Sequence, residues 1–280
     1  MDDKPPYRKW VGVLIGFLIN GSAHFLSGSR AAGLKWYFAI LSCSLLPILI
    51  ITMPGTVFLG VGVIFWLIAI VLWFIMLKQS YRPVPRIGFL GWVLVVLINF
   101  CLNWAWAYGI RTVVQPFRVP TSAMSPTILP GDYVLVEKVT FRIGVPKRGD
   151  VVVFKTKGIA SLPEDEYFVK RIAGVPGDKV RIAPPNFIVN DQVVTNPPIF
   201  YRIASAQTPF AGFQLASGGL LKKPTDAIIL EKDQYLVLGD NSRNSLDSRY
   251  WGPAPRKNIV GRATRIYWPF KRIDQSLGRE

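Results

Sequence analysis

Three long apolar runs constrain this chain more than anything else in it. Leu34–Met53 and Thr56–Leu77 hold a single charged residue between them, Lys35, and Ile87–Ile110 holds none. Each run is long enough to cross a hydrocarbon core of about 30 Å as a helix. Trp36, Tyr37, Trp104, Trp106 and Tyr108 fall near run ends, where amphipathic rings favour the membrane–water interface. Residues 1–110 therefore read as an α-helical transmembrane region, with spans at about 34–53, 56–77 and 87–110.

The stretch at about 10–27 is less apolar and contains Asn20, Gly21, Ser22 and His24, polar groups that are expensive in lipid. Charge decides how it is read. Lys4, Arg8 and Lys9 precede it, Arg30 and Lys35 follow it, and Lys78, Arg82 and Arg86 lie between the second and third runs. All these clusters reach the cytoplasmic side only if the first segment returns to its starting face. It is thus expected to be an interfacial or re-entrant helix. Three true spans then follow, the last of which delivers residues 111–280 outside the cytoplasm. Four spans would leave Lys4, Arg8 and Lys9 outside. A cleaved leader fits poorly with the bulky Phe25 and Leu26 and with further spans downstream.

Residues 111–280 carry 25 Lys and Arg against 15 Asp and Glu. A domain held outside the cytoplasm meets little nucleic acid, so anionic lipid is the better partner for such a surface, and a solvated basic surface serves equally well. The only histidine is His24, and both cysteines, Cys43 and Cys101, lie in the apolar runs. That excludes a Ser-His-Asp triad, a Cys-His dyad and the usual zinc sites from the soluble half. No metal or cofactor is implied. Hydrolytic chemistry would have to use hydroxyls, carboxylates or a lysine whose pKa burial lowers.

The soluble half reads as mostly β. Strands are expected at Tyr133–Lys138, Asp150–Phe154, Tyr167–Ile172, Lys179–Ile182, Tyr235–Leu238 and Ile259–Trp268. Phe187–Val194 reads as a hairpin turning at Asn190–Asp191. Residues at about 195–233 read as an irregular insertion.

Three segments stand apart: FRVPTSAMSPTILPGD at Phe117–Asp132, FVKRIAGVPGD at Phe168–Asp178 and LGDNSRNSLDSRYWG at Leu238–Gly252. In order and spacing they resemble the boxes of bacterial type I signal peptidases, also called leader peptidases. The resemblance implies a signal-peptidase-like β fold and a Ser–Lys dyad that removes signal peptides at the membrane surface. By the same match Lys170 is the general base and Ser245 the hydroxyl that orients it. Thr121 completes the oxyanion hole with a backbone N–H at position 123. Asp247 and Arg249 form a structural pair, and Asp240 is a buried acid nearby; loop architecture alone explains these three as well. The implied site is the bacterial inner membrane, near the export machinery, and the implied partners are signal peptides of secretory preproteins and membrane lipid.

The chain departs from the pattern at the nucleophile, where Ala123 stands before Met124. Losing that hydroxyl should cost on the order of a millionfold in turnover, roughly 8 kcal/mol. Three accounts fit: a deliberate Ser→Ala change, a natural loss that leaves a precursor-binding protein, or transfer of the role to Ser122 or Ser125. On an extended chain Ser122 would face away from position 123, and Ser125 would lie roughly 6–7 Å along the strand. An extended, small-residue cleavage region would pair with a strand edge, for which Tyr167–Ile172 and Arg118–Met124 are the candidates. Met124, Phe168 and Val169 are expected to line its pocket or, equally, to pack the core.

Overall fold

The computed structural model describes residues 6–51, 56–273, 275 and 277. The chain divides into two compact units, Met1–Thr112 and Val113–Glu280. Lys4, residues 52–55 and the expected end of the first span at Met53 fall outside the described residues.

The first unit is helical: α1 Lys9–Leu18, α2 Ser22–Leu26, α3 Arg30–Ile51, α4 Thr56–Gln79 and α5 Phe89–Val113. Within these, Gly60–Gln79 and Phe89–Val113 are long and apolar enough to cross a membrane. The segment expected as one helix at about 10–27 is instead broken in two. Gly21 sits between α1 and α2 at φ +78°, and a Cβ there would meet the Gly33 carbonyl oxygen at 2.1 Å. Glycine is needed for both reasons, the left-handed backbone and the close approach of α3. Ser22 Oγ donates to the Ile15 carbonyl at 2.8 Å, and Asn99 Nδ2 donates to that of Leu18. Ser22 of the broken stretch and Asn99 of α5 thus donate to backbone carbonyls at the end of α1.

The second unit is the mostly β domain. Its larger sheet runs β1 Val114–Arg118, β2 Tyr133–Glu137, β11 Ile259–Trp268, β3 Val151–Lys155, β4 Tyr167–Gly174, β9 Gln234–Leu238 and β10 Ala254–Pro255, with every neighbouring pair antiparallel. Both faces of its centre are covered. Val151 and Val153 pack with Met124, Val134 and Val136 on one side; Val152 and Phe154 pack with Ile172 and Val237 on the other. That is why the sequence VVVF shows no polar alternation.

The smaller sheet has the order β7 Gln192–Val193, β6 Asn186–Val189, β5 Lys179–Ala183 and β8 Ile228–Ile229. Asn190 and Asp191 adopt φ +50° and +63° between β6 and β7, the left-handed pair that a tight hairpin requires. The segment expected to be irregular at 195–233 is in fact structural. It forms a short helix, Pro198–Ala204, and strand β8, and it supplies Phe200, Phe213, Leu221 and Leu230 to the core beneath the smaller sheet. A seven-residue helix is too short to announce itself by periodicity.

Candidate active site

The site is assembled where three loops meet the larger sheet. The first box leaves β1, and the Val119 N–H bonds the Asp132 carbonyl while the Gly131 N–H bonds that of Val119. The enclosed loop tightens into a single 3₁₀ turn at Ser122–Met124, with Thr121 extended and exposed just before it. This corrects the extended geometry expected around Ala123. At about three residues per turn, Ser122 points roughly 120° away from Ala123. Its Oγ accepts a hydrogen bond from Asn244 Nδ2 at 2.8 Å. The Ser125 N–H closes the turn on the Ser122 carbonyl at 3.0 Å.

The third box clamps this turn from the other side. Asn241 donates its backbone N–H to the Ala123 carbonyl at 3.1 Å and its side-chain amide to the Ser122 carbonyl at 3.1 Å. A Cβ added to Gly239 would stand 2.4 Å from the Ala123 carbonyl oxygen and 2.2 Å from Ser245 Oγ. Only glycine allows β9 to end against the turn this closely. Gly239, Asn241 and Asn244 were visible in the motif, but nothing in sequence spacing assigns them these contacts.

Lys170 lies midway along β4 and is 5% exposed. Burial pushes its pKa down to about 8; the Asp247 carboxylate opposes the shift, Arg249 adds to it and Asp240 opposes it. Both carboxylates are themselves neutralised. Arg171 grips Asp240 through two bonds of 2.8 and 2.6 Å, and Thr127 Oγ1 donates to the same carboxylate at 2.5 Å. Arg249 holds Asp247 at 2.7 and 2.9 Å. Its remaining N–H groups reach the Gln214 and Ser245 carbonyls and Ser242 Oγ, so all five guanidinium donors are used. Gln214 comes from the segment first read as an insertion, which therefore completes this buried pair.

The lysine-to-serine hydrogen bond expected at Ser245 is not made. Ser245 Oγ is buried without a partner among the described residues, packed beside Gly239, while Lys170 Nζ sits 5.4 Å from the centre of the Phe168 ring. The expected pocket is also divided. Met124 and Val169 pack into the same cluster, whereas Phe168 belongs to the opposite face with Phe154, because neighbouring residues on a strand point to opposite sides.

Strand β4 is paired unevenly. Tyr167–Arg171 pair with β3, but β9 pairs only with Arg171, Ile172 and Gly174. The β9 side of Tyr167–Lys170 is left without a ladder partner among the described strands. The turn carrying Ala123 lies against β4 and against Ser242–Asn244. No group of three or more His, Cys, Asp or Glu suited to a metal ion occurs among the described residues.

Comparison with known proteins places this geometry in context. The family described as "Signal peptidase, peptidase S26" matches residues 89–268. A probable signal peptidase I-2 of Synechocystis sp. is 39% identical over 60% of this chain and 69% of its own length. A signal peptidase I of Leptolyngbya laminosa is 34% identical, covering 60% and 76%. A signal peptidase IB of Staphylococcus aureus is 29% identical, covering 68% and 95%.

Proposed function

The chain belongs to the signal peptidase family, and from that premise we propose that its β unit is a Ser–Lys signal-peptide endopeptidase site whose nucleophile position is occupied by Ala123. The observation that carries the reading is Lys170: a lysine buried inside β4, the strand against which the Ala123 turn lies, with its pKa lowered to about 8, has no evident structural purpose. A serine at position 123 would attack the scissile carbonyl carbon while Lys170 Nζ accepts its proton. The backbone N–H of residue 123 and the Thr121 hydroxyl would hold the developing oxyanion. The protonated lysine would then return its proton to the departing amine, and water, deprotonated by the same group, would release the acyl chain.

Ser245, packed beside Gly239 with its Oγ unpartnered, would orient the lysine once a substrate or hydroxyl draws Nζ away from Phe168. Asp240, Asp247 and Arg249 hold the loops in register. The unpaired side of Tyr167–Lys170 is suited to an extended peptide, with Met124 and Val169 shaping one shallow pocket and Phe168 the other face. The helical unit is read as three spans plus a re-entrant pair, α1 and α2. On that reading the β unit would lie on the outer face of a bacterial inner membrane, near the export machinery, where membrane-held preproteins are concentrated.

With alanine at 123 this chain binds such precursors without cutting them. The direction of Ser122, about 120° around the 3₁₀ turn from position 123, supports the reading that it does not replace the missing hydroxyl. A second reading, in which holding a precursor is itself the function, draws on the same alanine. Incubating the purified chain with a preprotein in detergent distinguishes them from activity. Retention without cleavage by the chain, and cleavage after Ala123→Ser, supports the disabled peptidase. Retention with no cleavage by either favours a dedicated binding protein.

A further inference from the structure

The helical unit leaves its last helix unpacked over one stretch. α5 is 25 residues long and buries none of them, whereas α3 and α4 lie against each other. Its start is tied down: Trp92 packs against the cluster of Val11, Ile15, Ala23 and Val84 and donates its Nε1–H to the Tyr7 hydroxyl at 3.3 Å. At mid-helix Asn99 Nδ2 donates to the Leu18 carbonyl. From there to Ile110, α5 and its neighbours stand apart around a cavity of about 1180 Å³.

The walls of this cavity are mainly aromatic and aliphatic. Phe17 of α1, Leu41 of α3, Trp73 of α4 and Leu102, Trp106 and Gly109 of α5 line it. Polar groups in the wall are served from within the unit. Asn103 Nδ2 donates to the Asn99 carbonyl at 2.8 Å and to its Oδ1 at 3.2 Å, and Ser44 Oγ donates to the Ile40 carbonyl at 2.7 Å. What remains for an occupant is apolar surface. Size narrows the choice further: a helix about 10 Å across, rising about 1.5 Å per residue, fills about 1200 Å³ over ten residues. The apolar core of a signal peptide is about 7–15 residues long.

We propose that this cavity is a docking groove for the apolar helical core of a signal peptide, seated between α5 and the walls of α1, α3 and α4. Lipid tails are as apolar as such a helix, so the gain in binding comes from van der Waals packing in a slot one helix wide. The broad, stiff faces of Trp73 and Trp106 accept aliphatic side chains without regard to their order, which suits a ligand defined by hydropathy more than by sequence. The groove rests on the reading of signal peptides as the ligands of this chain.

The test places the full chain and a radiolabelled preprotein in phospholipid vesicles and photocrosslinks from one position of α5 at a time. Leu102→p-benzoylphenylalanine is the probe. Trp104→p-benzoylphenylalanine is the control, because Trp104 is 65% exposed and lies off the groove lining. A preprotein adduct should form from position 102 and not from 104, and should map to the apolar core. In the Ala123→Ser background, Gly109→Trp should raise KM for the preprotein about tenfold, as the loss of one or two apolar contacts would. Cleavage of a short peptide lacking the apolar core should stay unchanged, since a Cβ at Gly109 meets nothing within 4 Å. Adducts from 102 with lipid alone, with a second copy of the chain, or with preprotein equally from 104, overturn the groove. Cleavage by Ala123→Ser in the same vesicles then leaves the peptidase reading standing, and its failure removes that reading too. A preprotein adduct from 102 alone, with no cleavage by Ala123→Ser, supports the groove and overturns the peptidase reading in favour of a binding protein.

Discussion

Burying an amine lowers its pKa by destabilising its charged form, and at Lys170 the consequence is measurable at the scale of one residue. The folded-state pKa of about 8 lies below the ordinary 10.5. Above about pH 10.5 the amine is neutral in both folded and unfolded chains and costs nothing. As pH falls through this window the unfolded chain takes up the proton first, and stability declines until the folded pKa is passed. Below pH 8 the deficit is constant, on the order of 3 kcal/mol. Lys170→Met should therefore raise the denaturation midpoint at pH 7 and lose that advantage near pH 10.5, which chemical denaturation at both pH values would show. For Ala123→Ser, kcat/KM should rise about tenfold per pH unit up to about 8 and then level off. A flat profile from pH 6 to 9 would remove Lys170 from the base role. Gly239→Ala should lower the activity of that variant and destabilise the unit by about 1–3 kcal/mol, because the Ala123 carbonyl and Ser245 hydroxyl have nowhere to move. The identities at 123, 170 and 245 were legible in the motifs. The 3₁₀ turn and the unpartnered Ser245 were not, since both depend on how β9 meets a loop more than a hundred residues earlier.

At the scale of elements, what the sequence reveals depends on length and alternation. The Asn190–Asp191 hairpin was readable because two residues in left-handed geometry have a compositional signature. Strand β11 was readable from a ten-residue run. The helix at Pro198–Ala204 and strand β8 carry too few residues for a period to emerge, so the stretch around them passed for an insertion. Its role as core makes a clear expectation. Phe213→Ala should destabilise the β unit by about 3–5 kcal/mol, since the ring packs against Phe187 and Phe200 at 5.6 and 6.0 Å. A loss below 1 kcal/mol in denaturant titration would mean the segment is an appendage after all. The break between α1 and α2 was hinted at by Asn20 and Gly21, but only the approach of Gly33 shows why glycine stands there.

The whole molecule joins a helical unit to a mostly β unit, and that division was plain from the apolar runs. The charges and polar groups of the first segment suggested a return to its starting face. Maleimide labelling of an engineered cysteine at position 6 in intact spheroplasts should fail under the three-span reading and succeed under four spans. The proposed dyad lacks only the hydroxyl at position 123. Its most direct test is cleavage of a purified preprotein by this chain, by Ala123→Ser and by Ala123→Ser with Lys170→Ala. The account expects product at the signal-peptide junction from the single variant alone. Equal cleavage by the unaltered chain, or by the double variant, would contradict it.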